Sequence, residues 1–327
     1  MRGIEFTPED PVDVITKRAV IAEREDFDVV LTSCHYNNRD PLVALSQIAT
    51  RTSQVNVGPA AANPYDIHPA RLCSAMATLN EASEGRAIMG IAPGDASTLT
   101  NLGISRNSPL RRVLETMRVA RELWDGQTVS HDGTFTLQDA SLNYDVGNIP
   151  IFVGAQGPHM LQMSAKYADG VLVNASHPND YEWASKHIEK GLKDRVRGDD
   201  LDRVAYVCVS IAEDENEARE AARPPVAFVT SGAPDHVLDR HGVNATKAAT
   251  IGQHIERGEF NQAFELVSQP MIDAFAAAGD PEAVSERLSK IRPHVDGFVI
   301  GAPLGPREET AISLAATALD RLNLTSG

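Results

Sequence analysis

The chain has 327 residues, of which 42% are hydrophobic and 5% aromatic, and its formal net charge is −15. This composition is typical of a globular protein with a sizeable core, and the negative charge argues against binding to a nucleic-acid backbone. The sequence has no apolar run long enough to span a bilayer and no signal-peptide pattern, so we expect a cytoplasmic protein. Its three cysteines lack the spacing of a disulfide framework or of metal ligands, so we expect no metal site.

Short β-branched runs alternate with amphipathic helical stretches along the chain. Each of eight predicted strands is followed by a predicted helix, which is the pattern of a closed (β/α)₈ TIM barrel. A doubly wound open sheet is the alternative, but it does not need eight such units. The predicted strands are 3–7, 29–32, 55–62, 87–92, 151–155, 170–174, 205–211 and 297–301.

Two stretches interrupt this repeat. The segment GQTVSHDGTFTLQDASLNY alternates in polarity and contains glycine, which predicts a β-hairpin after the fourth helix. Residues from about 224 to 279 contain several short helical patterns between the seventh and eighth strands. No linker-like change of composition separates them from the rest, so we expect one domain, residues 1–327, with a helical insertion at about 224–279.

Glu5 stands in the first predicted strand, GIEFT. Alternation alone would place it on a solvated face, opposite Ile4 and Phe6. In a closed barrel both faces of a strand are covered, and the active site lies at the carboxyl ends of the strands. A buried carboxylate needs a partner, a proton or a chemical role. Glu5 is therefore the leading catalytic candidate.

Polar or glycine-rich clusters follow five further predicted strands: SCHYNNRD, GPAAANPYDIHP, GIAPGD, GAQGP and NASHP. Each cluster is a weak signal, but a barrel would bring all of them to one rim. Gly157 precedes a predicted helix, whose free N–H groups and dipole favour an anion such as a cofactor phosphate. No G-x-G-x-x-G or G-x-x-x-x-G-K motif is present, which disfavours a Rossmann dinucleotide site or a nucleoside-triphosphate site.

In this order, the clusters resemble the methylenetetrahydromethanopterin reductases of archaea, which belong to the bacterial-luciferase-like barrel superfamily. The resemblance implies a (β/α)₈ barrel that binds coenzyme F420 (8-hydroxy-5-deazaflavin) without a covalent bond. The implied reaction transfers a hydride from the reduced coenzyme to the methylene group of a tetrahydropterin and gives the N5-methyl form. Members of the family are commonly homo-oligomers. The motifs that carry the resemblance are GIEFTPEDP, HYNNRD, NPYDIHP, APGD, NIPIFVGAQGPHML, ADGVLVNASHP and FVTSGAPDHVLDRHG.

The resemblance also implies roles for individual residues. Glu5 matches the catalytic glutamate that protonates pterin N10, and Ala60-Ala61 matches a bulge with a cis peptide bond against which the deazaflavin ring leans. The implied coenzyme-binding residues are Cys34, His35, Ala60, Ala61, Asn63, Gly94, Asp95, Gly154, Ala155, Gln156 and Gly157. The implied substrate-binding residues are Tyr36, Asn37, Asn174, His177 and Phe228.

Departures from the family pattern leave the hydride donor and the one-carbon carrier open. Ser33-Cys34 stands where the family has Thr-Asp, and the loss of that carboxylate makes NADH or NADPH an alternative hydride donor. Only seven of the 30 basic residues are lysine, against 45 acidic residues, which fits a halophilic archaeon whose one-carbon carrier could be tetrahydrofolate. The alternatives are an NAD(P)H-dependent methylenetetrahydrofolate reductase, a related alcohol or sugar-phosphate dehydrogenase, and a non-catalytic deazaflavin-binding protein. The dehydrogenase would want a basic phosphate pocket or a histidine in the role of Glu5, and neither is evident in the sequence. A mere binder has no use for a buried acid such as Glu5.

Overall fold

The computed structural model describes residues 1–322, and in this part of the chain strands and helices alternate as the sequence predicts. The strands are β1 (Arg2–Phe6), β2 (Val29–Thr32), β3 (Asn56–Pro59), β4 (Met89–Ile91), β5 (Val129–Asp132), β6 (Thr136–Ala140), β7 (Ile151–Ala155), β8 (Gly170–Asn174), β9 (Asp202–Ile211), β10 (Ala277–Gly279) and β11 (Gly297–Leu304). The helices are α1 (Val12–Arg24), α2 (Pro41–Arg51), α3 (Pro69–Ala82), α4 (Ala96–Asn101), α5 (Pro109–Trp124), α6 (Pro158–Tyr167), α7 (Pro178–Leu192), α8 (Glu215–Gly232), α9 (Asp235–Arg240), α10 (Ala245–Glu256), α11 (Phe260–Glu265), α12 (Gln269–Phe275), α13 (Pro281–Ile291) and α14 (Glu308–Asp320).

The chain divides into two compact units, of which the first comprises Met1–Asn174 and Trp183–Val204. Within this unit, β1 pairs with β2, β2 with β3, β4 with β7, and β7 with β8, always in parallel. Two isolated parallel bridges join the β3 region to the β4 region. Six parallel strands thus follow one another in the order β1, β2, β3, β4, β7 and β8, and their carboxyl ends meet at one edge.

The sequence of these strands explains why helices cover them. All four residues of β2 are buried, and such a continuous apolar run is typical of a parallel strand that is covered on both faces. The covering helices begin at recognisable caps. The Asp40 side chain, for example, accepts hydrogen bonds from the backbone N–H groups of Leu42 and Val43 at the start of α2.

The second unit comprises Ala175–Glu182 and Ala205–Gly327. Its helices α8 to α12 pack around an apolar cluster that includes Val226, Ile251, Ile272 and Phe275. These helices contain the predicted insertion at about 224–279, although α8 already begins at Glu215 and continues through two prolines. The sequence analysis missed strand β10, which pairs in parallel with β9, because three small residues carry no periodic signal. The eighth predicted strand is followed by a helix, α14; residues 323–327 lie outside the described part.

The predicted hairpin after α5 is present. Strands β5 and β6 form an antiparallel pair in which His131 lies opposite Leu137.

No helix within residues 1–322 combines the length and the apolar composition needed to cross a membrane.

Strands β3 and β4 approach each other so closely that two glycines are required. A Cβ atom built on Gly58 would lie 2.0 Å from the carbonyl oxygen of Ile88, and one on Gly90 would lie 2.1 Å from that of Pro59. Both obstacles are backbone atoms, so no side chain could move aside to make room. This approach brings the carboxyl end of β3 directly beside β4.

We therefore expect Gly90→Ala to lower the free energy of unfolding by about 2 kcal/mol or more, because the added methyl group must push two backbones apart. Denaturant unfolding of the two proteins measures the difference. Gly232→Ala is the matched control, since a Cβ there meets nothing within 4 Å, and it should change stability by less than about 0.5 kcal/mol. Equal stability of the Gly90 variant and the wild type would contradict this account.

Candidate active site

Glu5 is buried on the face of β1 opposite Ile4 and Phe6, with 1% of its surface exposed. Its Oε1 atom accepts two hydrogen bonds, from the backbone N–H of Ser33 at 3.0 Å and from the hydroxyl of Thr7 at 3.2 Å. Both donors come from the carboxyl ends of neighbouring strands, as the barrel prediction requires. Both donors therefore bind the same carboxyl oxygen.

Two residues that follow β2 lie next to Glu5. The hydroxyl of Ser33 is buried and makes no hydrogen bond within residues 1–322. The thiol of Cys34 is half-buried and lies 3.8 Å from the carbonyl oxygen of Thr32. Burial raises the pKa of this thiol well above its usual range, and the carboxylates of Asp66, Asp40 and Glu5 raise it further. Cys34 is thus a neutral thiol at the position where the resemblance leads one to expect a carboxylate.

The chain leaves β3 through a bulge at Ala60 and Ala61, both half-buried. The peptide bond between them is cis, as predicted. The N–H of Ala60 donates to the carbonyl of Thr32 at 2.7 Å, and the N–H of Ala62 donates to the carbonyl of Gly90 at 2.9 Å. The bulge is therefore fixed between the ends of β2 and β4.

Asn63 follows this bulge and is 5% exposed. Its Oδ1 atom accepts hydrogen bonds from the N–H groups of Tyr65 at 3.0 Å and Asp66 at 3.1 Å, and its Nδ2 donates to the Asp66 carboxylate at 2.8 Å. The side chain thus closes its own loop, which we call the Asn63 loop (residues 60–66). Gly94 packs against it: its φ is +75°, and a Cβ there would lie 3.1 Å from the Asn63 Cβ.

Asp95 caps the short helix α4 after β4. Its carboxylate accepts hydrogen bonds from the Thr98 N–H at 2.8 Å and the Ser97 hydroxyl at 2.5 Å. Burial would raise the pKa of Asp95, but these hydrogen bonds and the nearby His35 outweigh it and leave the pKa below its usual value. Asp95 is consequently an ionised N-cap of α4, and His35 lies close enough to interact electrostatically with it.

The end of β7 lies against the bulge. A Cβ on Gly154 would approach the methyl groups of Ala92 at 3.1 Å and Ala61 at 3.9 Å. Ala155 is buried, and the Gln156 side chain donates to the carbonyl of Asn174 at the end of β8, at 2.8 Å. Gly157 is exposed and precedes α6, and a Cβ on it would meet nothing within 4 Å. The N-terminus of α6 is thus open to an anion.

The five predicted substrate-binding residues are divided between the two units. Tyr36, Asn37 and Asn174 are exposed at the ends of β2 and β8 in the first unit. His177 belongs to the second unit, where its ring lies 4.9 Å from that of His241; burial lowers its pKa, and Arg287 and His241 lower it further. Phe228 also belongs to the second unit and is exposed on α8, with its ring 6.3 Å from that of Phe260.

The first unit therefore joins Glu5, Cys34, the bulge, the Asn63 loop and the β7 turn through direct contacts. Sequence reasoning missed Ser33, Thr7 and Asp66 as members of this group. The signal for Ser33 and Thr7 was their position at strand ends beside Glu5. No cluster of three or more metal-binding side chains occurs in the described part of the chain.

The family model described as "Luciferase-like monooxygenase" matches residues 3–293. The 5,10-methylenetetrahydromethanopterin reductase of Archaeoglobus fulgidus is 40% identical over 320 residues, which cover 95% of this chain and 96% of that protein. The enzyme of the same name from Methanopyrus kandleri is 37% identical and covers 95% of both chains. The chain belongs to the methylenetetrahydromethanopterin reductase family.

Solved structures agree with this membership. The coenzyme F420 dependent tetrahydromethanopterin reductase from Methanopyrus kandleri has a TM-score of 0.92 at 36% identity and covers 99% of both chains. An F420-dependent secondary alcohol dehydrogenase, with a TM-score of 0.81 at 18% identity, shares the fold. The predicted fold, a (β/α)₈ TIM barrel of the luciferase-like type, is confirmed, and so is the prediction that the protein is an enzyme of the oxidoreductase class.

The thiol of Cys34 gives a test of the site's electrostatics. The thiolate is the nucleophile in alkylation, so a raised pKa should make Cys34 react with iodoacetamide at pH 7.5 more than about tenfold slower in the folded than in the denatured protein. Timed alkylation followed by peptide mass spectrometry measures both rates. Alkylation of Cys34 at the same rate in both states would show that its surroundings do not suppress the thiolate.

Proposed function

We propose that the protein is an F420-dependent methylenetetrahydromethanopterin reductase, which transfers a hydride to the methylene carbon and gives the N5-methyl product. The observation that carries the proposal is Glu5, a buried carboxyl whose Oε1 is held by two donors, in a chain 36–40% identical to reductases of this name. A fold alone would not suffice, because luciferase-like barrels such as the alcohol dehydrogenase share it at 18% identity.

The first unit has features that fit a deazaflavin coenzyme. The Ser33 hydroxyl is buried without a partner in the described chain and needs a polar group to satisfy it. The half-buried bulge gives an apolar surface for a ring, and the open N-terminus of α6 suits a phosphate of the coenzyme tail. We assign coenzyme binding to Cys34, His35, Ala60, Ala61, Asn63, Gly94, Asp95, Gly154, Ala155, Gln156 and Gly157. Reduced F420, when bound there, supplies the hydride.

We assign the general acid to Glu5. In this mechanism the Glu5 carboxyl donates a proton to pterin N10, and the bond between N10 and the methylene carbon breaks, which leaves an electrophilic carbon on N5 that accepts the hydride. The N–H of Ser33 and the hydroxyl of Thr7 then stabilise the carboxylate that remains, since both already donate to Oε1. Asn63 and Asp95 use their side chains to hold their own loops, so their contribution is to orient the coenzyme site.

The names of the relatives favour tetrahydromethanopterin over tetrahydrofolate as the carrier, and F420 over NADH or NADPH as the donor. Cys34 does not change this preference, because the solved relative at 36% identity is named as coenzyme F420 dependent. Substrate binding by Tyr36, Asn37, Asn174, His177 and Phe228, assembly into a homo-oligomer, the halophilic origin and the cytoplasmic location stay predictions. Light scattering after gel filtration tests the assembly.

The decisive assay follows the absorbance of F420. We expect methylenetetrahydromethanopterin to cause oxidation of reduced F420, with methylenetetrahydrofolate and NADH much less effective, at both low and molar salt. The protein should be isolated without tightly bound flavin. If reduced F420 binds but is never oxidised, the chain is a deazaflavin-binding protein. If only NADH and methylenetetrahydrofolate react, the donor and carrier proposed here are wrong.

The role of Glu5 is tested by Glu5→Gln. The amide keeps the size and an oxygen that can accept from Ser33 and Thr7, but it has no transferable proton. Loss of a general acid typically costs a factor of about 10²–10⁴, so we expect kcat to fall in that range while F420 affinity and thermal stability stay near wild type. If Glu5 were only a structural acid, the variant would lose stability and turn over normally.

A further inference from the structure

Arg112 on α5 joins the β5–β6 hairpin to the Asn63 loop. Its Nε donates to the carbonyl of Pro64 at 2.9 Å, and one terminal nitrogen donates to the carbonyl of Thr134 at the hairpin tip. The guanidinium also lies over two aromatic rings, 5.3 Å from the centre of Tyr65 and 5.0 Å from that of Phe135. The half-buried Arg112 side chain thus contacts both the loop and the hairpin through hydrogen bonds and through cation–π contacts.

The hairpin end of this connection is held separately by Glu115. Its Oε2 accepts from the N–H and the hydroxyl of Thr134, both at 2.7 Å, and lies 3.1 Å from His131 Nε2. Burial would raise the pKa of Glu115, but the hydrogen bonds from Thr134, Arg111 and His131 lower it to about 2. A Cβ on Gly133 would lie 2.6 Å from both Glu115 Oε2 and His131 Nε2, so a larger residue at the tip would displace these side chains. The tip is therefore fixed to α5.

The loop end of the connection is adjacent to the candidate coenzyme site. Pro64 follows Asn63 directly, and the Asn63 side chain holds the N–H groups of Tyr65 and Asp66. The Tyr65 hydroxyl donates to the carbonyl of Asn107 at 2.6 Å. Arg112 consequently restrains the backbone of the loop at the residue after Asn63, between the bulge and Asp66.

We propose that Arg112, held against the hairpin tip, is a positioning residue that orders the Asn63 loop for binding of the deazaflavin coenzyme. This inference rests on the proposed function. Arginine suits the task because its planar group donates in two directions and also lies over two aromatic rings. Lysine has one point charge and cannot do both. Loss of Arg112 leaves the loop to be ordered at the moment of binding, which weakens binding without touching the chemical step.

The test compares Arg112→Met and Arg112→Lys with Arg111→Met in the full-length protein. Arg111 is the neighbouring residue, and its exposed side chain pairs with Glu115 and does not contact the loop. We expect the Kd for F420, measured by fluorescence quenching, to rise about tenfold in Arg112→Met and less in Arg112→Lys, with kcat at saturation within about twofold of wild type. Arg111→Met should bind F420 like the wild type.

Hydrogen exchange without coenzyme gives a second readout that does not depend on the reaction. Amides of residues 60–66 should exchange faster in Arg112→Met than in Arg111→Met. Unchanged exchange, or faster exchange with an unchanged Kd in a folded Arg112 variant, would overturn the inference. So would an equal loss of affinity in the Arg111 variant. If the wild-type protein itself does not bind F420, the proposed function fails, and the coenzyme role of Arg112 fails with it.

Discussion

The burial of one carboxyl group inside a parallel strand governs the arrangement of this site. Glu5 is 1% exposed, and an acid in that position must be hydrogen-bonded wherever its proton resides. The two donors to its Oε1 come from Ser33 and Thr7, so the ends of β1 and β2 must keep their register for the acid to be tolerated. The same register places the bulge after β3 next to Thr32, since Ala60 donates to that carbonyl.

Several polar side chains of the candidate site bind backbone groups of the chain itself. Asn63 closes its own turn, Asp95 caps α4, and Gln156 spans the ends of β7 and β8. Such loops are ordered by internal hydrogen bonds, so a ligand need not supply that order when it binds. Ser33 differs, because its buried hydroxyl has no partner in the described chain. It is the group whose hydrogen bonding a bound coenzyme or substrate would complete.

Cys34 adds no negative charge near Glu5, because its thiol is neutral. Burial raises the pKa of this thiol, Asp66, Asp40 and Glu5 raise it further, and the thiol therefore stays neutral. A carboxylate at this position would add another negative charge to a group of acids that already repel one another. A neutral thiol avoids that repulsion. The departure from the pattern that the resemblance implies thus changes the electrostatics at this position.

The sequence alone determined the eightfold alternation of strands and helices and the hairpin, and it singled out Glu5 as a buried acid, because hydrophobic periodicity and strand-end polarity are local properties. The motifs also indicated the family and the cis bond at Ala60-Ala61. Sequence did not show that the buried Ser33 hydroxyl has no partner in the described chain, since its burial depends on neighbours distant in the chain. Only the tertiary structure brought Arg112 on α5, Pro64 after β3 and Thr134 in the hairpin to one point. No spacing along the chain encodes that meeting, because it depends on how helix, loop and hairpin pack.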